Sequence, residues 1–192
     1  MSVSEHLFKE QLNKLKPVPN FNWDNFISKC HFQDFGKKEF LIKEGAVEQK
    51  LHFLCEGVLR FFVEVKEKEI TFDFVFPGTF FSAYTSYLTQ LPVKYNIQAL
   101  SKSTCYSILK TDLDKLYNQE VEGLYFAKWA TEQQFLRKSA RELSLLTESA
   151  EERYWSLLKN HKDLIKQIPQ KYLASYIGIT PQALSRIRRR IY

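Results

Sequence analysis

The stretch Gln170–Arg189 reads QKYLASYIGITPQALSRIRR, and its reading governs that of the whole 192-residue chain. Counted from Gln170 as the first position, Ala174 is fifth, Gly178 ninth and Leu184 fifteenth, while Leu173, Ile177, Ile179 and Ile187 fill the other inward slots. This is the pattern of a helix-turn-helix: a small side chain where two helices cross, a glycine where the backbone needs φ > 0, and branched apolar anchors on the second helix. Thr180 is placed to cap that second helix, with Pro181 at its first position, where a missing N–H costs nothing. Its outward face offers Gln182, Ser185, Arg186 and Arg189, residue types suited to base edges and phosphates. A plain helical hairpin with a solvated basic face is the competing reading.

Charge separates the two. From Lys159 onward there are eight basic residues against one acid, Asp163, a balance of +7 that leaves −1 for residues 1–158 of a total of +6. A basic end joined to a near-neutral body is the footprint of a polyanion-binding module. The start MSVSEHLFKE lacks the layout of a secretory signal, and no run of roughly 18 apolar residues offers a membrane span. A cytoplasmic location is expected, where Cys30, Cys55 and Cys105 stay reduced as small core hydrophobes.

Upstream, Ser4–Lys16 carries Leu7, Phe8, Leu12 and Leu15 at helical spacing, with Pro17 and Pro19 to stop it, and Asn22 or Asp24 caps a short second helix. From Lys38 the period changes to two. Phe40 and Ile42, then Leu51, Phe53 and Cys55, alternate before Gly45 and Gly57. Val58–Val65 and Ile70–Phe76 form a hairpin across Lys66–Glu69, with Ile70, Phe72, Phe74 and Phe76 on one face; Tyr95–Ala99 and Cys105–Leu109 follow. About seven or eight short, glycine-punctuated strands imply a β-barrel or jelly roll.

Thr111 opens a helical stretch running to about Leu146, with room for a break at 120–123. Within it Phe126, Trp129, Gln133, Leu136, Ala140 and Leu143 are spaced 3, 4, 3, 4, 3 and make a narrow a/d seam. Its partner is either the same helix of a second subunit or the chain's own barrel. Ser149-x-x-Glu152 is a capping box that opens a new helix and marks a boundary. The division expected is residues 1–118 as sensor roll, 119–147 as long helix and hinge, and 148–192 as a helical module.

The order of parts resembles the Crp/Fnr family of bacterial transcription regulators. The residues that carry it are Ser149–Tyr154 (SAEERY), Ile168–Pro181 (IPQKYLASYIGITP) and Leu184–Arg188 (LSRIR), which are similar to the branch common in Bacteroidetes. The resemblance implies an α+β chain: a double-stranded β-helix or jelly-roll, cyclic-nucleotide-binding-like domain, a long dimerisation helix and a C-terminal all-α helix-turn-helix domain. It implies a homodimer on a palindromic double-stranded DNA operator, with RNA polymerase as a further partner and a small-molecule effector of unknown identity. The DNA-binding set would be Lys171, Thr180, Gln182, Ser185, Arg186, Arg189 and Arg190. Gln182, Ser185 and Arg186 would read bases, and Lys171, Arg189 and Arg190 would hold phosphate.

The ligand-binding set would be Phe81, Ser82, Ala83, Tyr84, Lys94 and Tyr95. Cyclic-AMP-binding relatives place a ribose-binding glutamate where Ala83 stands and an arginine near Pro92–Tyr95, so the two strongest charge-assisted contacts are missing and cyclic AMP is not the expected effector. The rings of Phe80, Phe81, Tyr84, Tyr87 and Tyr95 either line a pocket for a flat apolar ligand or fill it. Neither iron–sulfur ligation, which needs about four thiolates, nor an axial haem histidine is legible, and no metal, cofactor or enzymatic role is expected. Leu157–Pro169 reads as helical, with no winged hairpin before Tyr192. A sensor or adaptor that acts through protein contacts is the alternative to DNA binding.

Overall fold

The computed structural model describes residues 3–15, 18–119 and 121–191. Pro17, Glu120 and Tyr192, on which the stop of the first helix, the break in the long helix and the chain end fall, lie outside them, as does Lys16. Two four-stranded antiparallel sheets pack face to face. One has the order β1(His31–Phe35), β8(Ser103–Leu109), β3(Lys50–Glu56), β6(Thr79–Phe81); the other β2(Phe40–Ile42), β7(Asn96–Ala99), β4(Leu59–Val65), β5(Lys68–Val75). Around this eight-stranded roll lie α1(Val3–Leu15), α2(Trp23–Ser28), α3(Tyr84–Thr89), α4(Lys110–Gln119) and the long α5(Val121–Thr147), followed by α6(Ala150–Ile165), α7(Gln170–Ile177) and α8(Pro181–Ile191). The fold is α+β, with a jelly roll, a long helix and C-terminal helices.

Strand β3 is buried on both faces. Leu54 points into the roll with Phe61, Phe81 and Ile97. Leu51, Phe53 and Cys55 point outward into a second cluster with Phe8, Phe26, Leu113 and Phe126. The helices thus cover a face that alternation alone would leave to solvent. The β4–β5 hairpin closes through Lys66 and Glu67, both at positive φ (49° and 63°), the turn that matches strand twist.

The single face expected for Ile70, Phe72, Phe74 and Phe76 is split. Phe61 pairs with Asp73 but the adjacent Phe62 pairs with Thr71, so Phe72 sits at a bulge. An extra residue reverses the side-chain alternation beyond it. Thr71 and Phe74 therefore share the side of Arg60 and Phe62. On that side Phe74 and Phe76 join Tyr154, Leu157, Ile165, Leu173, Ala174, Ile177 and Leu184 in one buried cluster, so the C-terminal helices are not a separate core.

The stretch after β6, irregular in sequence, contains α3, and His31–Phe35, assigned to no element from sequence, forms β1. Helix α4 begins at Lys110, one residue before the expected cap. Its crossing with α5 is tight: a Cβ on the buried Gly123 would stand 2.4 Å from the Leu116 carbonyl oxygen. At the α5–α6 corner the Ser149 hydroxyl accepts from Glu152 N–H while the Glu152 carboxylate accepts from Ser149 N–H, the full capping box. Arg153 then donates to the carbonyls of Ser144 (3.2 Å) and Ile177 (3.0 Å), tying α5, α6 and α7 together.

Candidate functional site

The helix pair α7–α8 turns at Gly178, whose φ of 86° is the left-handed conformation the spacing required, and the Gly178 N–H closes the helix on the Ala174 and Ser175 carbonyls. The Thr180 hydroxyl accepts from Ala183 N–H at 3.2 Å and caps α8. Leu184 and Ile187 are buried, which turns Gln182, Arg186, Arg189 and Arg190 to solvent and leaves Ser185 half-buried. Six of the seven residues of the expected DNA-binding set thus lie on one helix and its cap. The seventh, Lys171, is exposed at the start of α7 and stands 3.7 Å from Glu69 of β5. Arg190 lies 3.6 Å from Glu151.

The expected ligand set is scattered over two faces. Phe81 and Ala83 are fully buried among the roll's interior side chains. Ser82 spends its hydroxyl on the Lys50 carbonyl, and Tyr84 is hydrogen-bonded to Thr131 of α5 at 2.8 Å. Tyr95 is half-buried against Phe61 (5.7 Å) and Phe72 (5.2 Å), and Lys94 is exposed. Of the rings expected around a pocket, Phe80 points the other way, into the helices, against Phe26, Phe53 and Phe126. Rings occupy the interior of the roll.

Sequence reading missed the polar group buried beside Ala83. Glu48, 4% exposed, accepts from the N–H groups of Gln49 (3.0 Å), Lys50 (2.9 Å) and Ala83 (3.4 Å) and stands 3.2 Å from His52 Nε2. His52 Nδ1 continues the chain to Ser107, which donates to Gln33. Burial pushes the Glu48 carboxyl up, but the His52 contact and the backbone donors of Lys50 and Ala83 outweigh it and hold it below the usual carboxylate range. An internal carboxylate therefore occupies the donors at the position where the resemblance places a ligand-binding glutamate. The only sequence signal was a Glu four residues before a His.

Burial also raises the thiols of Cys30 and Cys55 to about 12, and that of Cys105 further, so none is poised as a thiolate. Among the described residues no group of three or more His, Cys, Asp and Glu side chains is arranged to hold a metal.

The expected seam on α5 divides. Phe126 is fully buried in its own chain, stacked with Phe21 and Trp129, and Trp129 is partly buried against Phe80. Gln133, Leu136, Ala140 and Leu143 are exposed. The apolar side chains on the outward face are Val121, Leu124, Tyr125, Phe135, Leu136, Leu143 and Leu146. The polar side chain of Gln134 turns inward to the Phe80 carbonyl at 2.6 Å.

Arg60 binds the roll to the helix pair. It is 1% exposed, its guanidinium lies 3.8 Å from the Phe62 ring and 3.7 Å from the ring of Tyr172 on α7, and it donates to both Glu69 oxygens and to Gln98. Thr71 N–H donates to the Ser175 hydroxyl at 2.9 Å, and Arg141 of α5 stacks on Tyr176 and donates to its carbonyl. On α6, His161 stacks on Phe76 at 3.7 Å.

A β-roll with a short helix between β6 and β7, followed by a long helix and a basic helix pair, defines a cyclic-nucleotide-binding-type architecture. Residues 32–120 match the cyclic nucleotide-binding domain family. No curated protein sequence matches the chain. Among solved structures it is similar to FixK2 from Bradyrhizobium japonicum (17% identity over 84% of this chain and 84% of that one, TM-score 0.68). It is also similar to the c-di-GMP-responsive global regulator CLP of Xanthomonas campestris (11%, 88% and 89%, TM-score 0.67). A third is the catabolite activator protein of Thermus thermophilus (21%, 94% and 85%, TM-score 0.54). These structural neighbours are Crp/Fnr-type regulators, and at such identities what this chain shares with them is the fold.

Proposed function

We propose that the chain is a Crp/Fnr-type transcription regulator that binds a palindromic DNA operator as a homodimer through a helix-turn-helix formed by α7 and α8. The observation that carries this reading is the outward face of α8. Gln182, Arg186 and Arg189 share it with no apolar neighbour, at the end of the chain that holds the whole positive balance. Arg186 offers a bidentate fork to guanine, while Lys171, Arg189 and Arg190 contribute phosphate contacts. The second copy packs on the exposed apolar face of α5, from Tyr125 through Leu136 and Leu143 to Leu146, which sets the distance between two recognition helices. RNA polymerase is a further partner in this reading, the cytoplasm its compartment, and the C-terminal residues favour the Bacteroidetes-type branch.

Cyclic AMP is not the effector in this reading. The buried Ala83 offers no carboxylate to a ribose, Glu48 already accepts from its N–H, and Phe61, with Tyr95 packed against it, occupies the adjacent interior. The test is selection of bound fragments from random duplex DNA, then titration of the enriched site at several salt concentrations. The expected result is a two-fold symmetric motif whose affinity falls steeply with salt. Enrichment of no motif, or salt-independent retention, refutes it.

A further inference from the structure

We propose that the cavity between β5, α5 and α7 is a binding site for a small amphipathic anion, a carboxylate or sulfonate carried on an apolar body. The cavity is open to solvent on one side and has a volume of about 520 Å³. Its lining draws Thr71 and Phe72 from β5, Arg137, Arg141 and Leu145 from α5, and Tyr176 from α7. It shares no residue with the ligand set that the family resemblance implies.

Its polar atoms point to the ligand. Five buried side-chain nitrogen or oxygen atoms of the described residues have no hydrogen-bond partner, and three of them, Thr71 Oγ1, Arg137 Nε and Arg141 Nε, belong to residues lining this one cavity. The other two, on Gln11 and Tyr87, lie elsewhere. Buried polar groups are normally satisfied, so a cluster of orphans marks a place built for a partner. Both guanidinium groups are already held: Arg137 Nη2 donates to Asp73 at 2.9 Å, and Arg141 donates to the Tyr176 carbonyl. Each keeps its Nε–H free. Two charged N–H donors and a hydroxyl that can also donate suit an acceptor-only head, and a carboxylate or sulfonate supplies acceptors without a competing donor.

The electrostatic balance agrees. Arg137, Lys138 and Arg141 face Asp73 and Glu142 around the cavity, leaving an excess of positive charge, and one of the two carboxylates is engaged by Arg137. Ile70, Phe72 and Leu145 give the rest of the wall an apolar surface for a hydrocarbon or aromatic body. Because the lining comes from the roll, the long helix and the helix pair, an occupant touches all three parts at once, beside the Thr71–Ser175 hydrogen bond.

The full-length protein is titrated with anilinonaphthalenesulfonate, an aromatic sulfonate whose fluorescence rises on burial, and the bound probe is challenged with octanoate and with octanol. The expected result is saturable binding of one probe per chain, displaced by octanoate and not by octanol. Thr71→Val and Arg137→Lys, each with an unchanged circular dichroism spectrum, are expected to weaken it about tenfold through loss of one hydrogen bond to a charged group. Thr89→Val, on α3 and away from this cavity, is expected to leave it unchanged. If either cavity variant misfolds, the other decides. Unsaturable uptake, equal displacement by octanol, or unaltered affinity in the folded variants overturns the proposal. The readout contains no DNA, so its failure leaves the operator-binding reading standing, and failure of the operator selection leaves this one.

Discussion

Replacing Arg60 with methionine tests whether the helix pair is held on the roll in solution. Methionine keeps an unbranched apolar stem, so what is lost is the charge and its donors. The guanidinium holds Glu69 with two hydrogen bonds of 3.0 and 3.1 Å. Removing one partner of a buried pair costs ~3–5 kcal/mol, chiefly by stranding the other. Glu69 is 35% exposed and can turn to Lys171, so a discounted ~2 kcal/mol applies. The two ring faces, on Phe62 and Tyr172, add about 1 kcal/mol each, and the stranded Gln98 oxygen about 1 kcal/mol. Arg60→Met should therefore lose roughly 4 to 5 kcal/mol, a large share of the ~5–15 kcal/mol typical of a folded domain. Arg60→Lys should recover little, because a point charge reproduces neither the fork nor the flat stacking surface. The decisive quantity is the coupling between Arg60 and Tyr172. Urea denaturation of Arg60→Met, Tyr172→Leu and the double variant should give an interaction of about 1 kcal/mol across the gap between β4 and α7. Additivity within ~0.3 kcal/mol would mean that the two do not meet in solution, and would sink the docked arrangement.

Five further outcomes are expected. Arg186→Ala should relax specificity at one base position at a cost of ~1–3 kcal/mol, while Arg190→Ala should weaken all sequences alike and flatten the salt slope, as read by anisotropy on matched and mismatched duplexes. Joint replacement of Leu136 and Leu143 by glutamate should give a monomer in sedimentation, and an unchanged dimer would refute the α5 interface. Gly57→Ala should cost about 3 kcal/mol or more from backbone strain and overpacking, since Gly57 has φ 91° and its Cβ would lie 2.2–2.7 Å from Ser103 and Lys102. Glu48 titrates below its ordinary 4.5 when folded, so the stability it gives is full above that pH and is lost as pH falls through the folded value. Glu48→Gln should flatten that acid limb of the unfolding curve. His161, whose pKa burial lowers from 6.5, gives a separate loss beginning below 6.5.

The helix pair was legible because its determinants are local. Gly178, Thr180 and Pro181 act through φ, a cap and a missing N–H within one turn of chain, and the Ser149–Glu152 box does the same at the hinge. Strand periodicity located most of the roll for a similar reason. What escaped depends on partners distant in sequence. Strand β1 leaves four of its five residues at least partly exposed and carries no alternation to read. Phe126 looked like part of a seam because spacing gives the repeat of a helix but not which side faces its own chain. The bulge at Phe72 is set by pairing with β4, and it sends Phe74 to α7 while Ile70 stays on the cavity wall. The cavity's polar set had a faint signal in Arg137 and Arg141, one helical turn apart. Only the folded chain brings Thr71 to them across 66 residues of sequence.

The hydrogen bond from Thr71 N–H to Ser175 has a further consequence. Strand β5 is the outer strand of its sheet, and along such a border unpaired amide groups invite pairing with another chain. Helix α7 lies over this border and takes up one of those amides with a side-chain hydroxyl, so it shields the strand from such pairing. Any state in which the helix pair swings free would leave the Thr71 amide unpaired beside the already exposed Ile70 and Phe72. Fragments ending near Thr147 should therefore self-associate through β5 and gain intermolecular β-structure visible by infrared spectroscopy, whereas the intact chain should not.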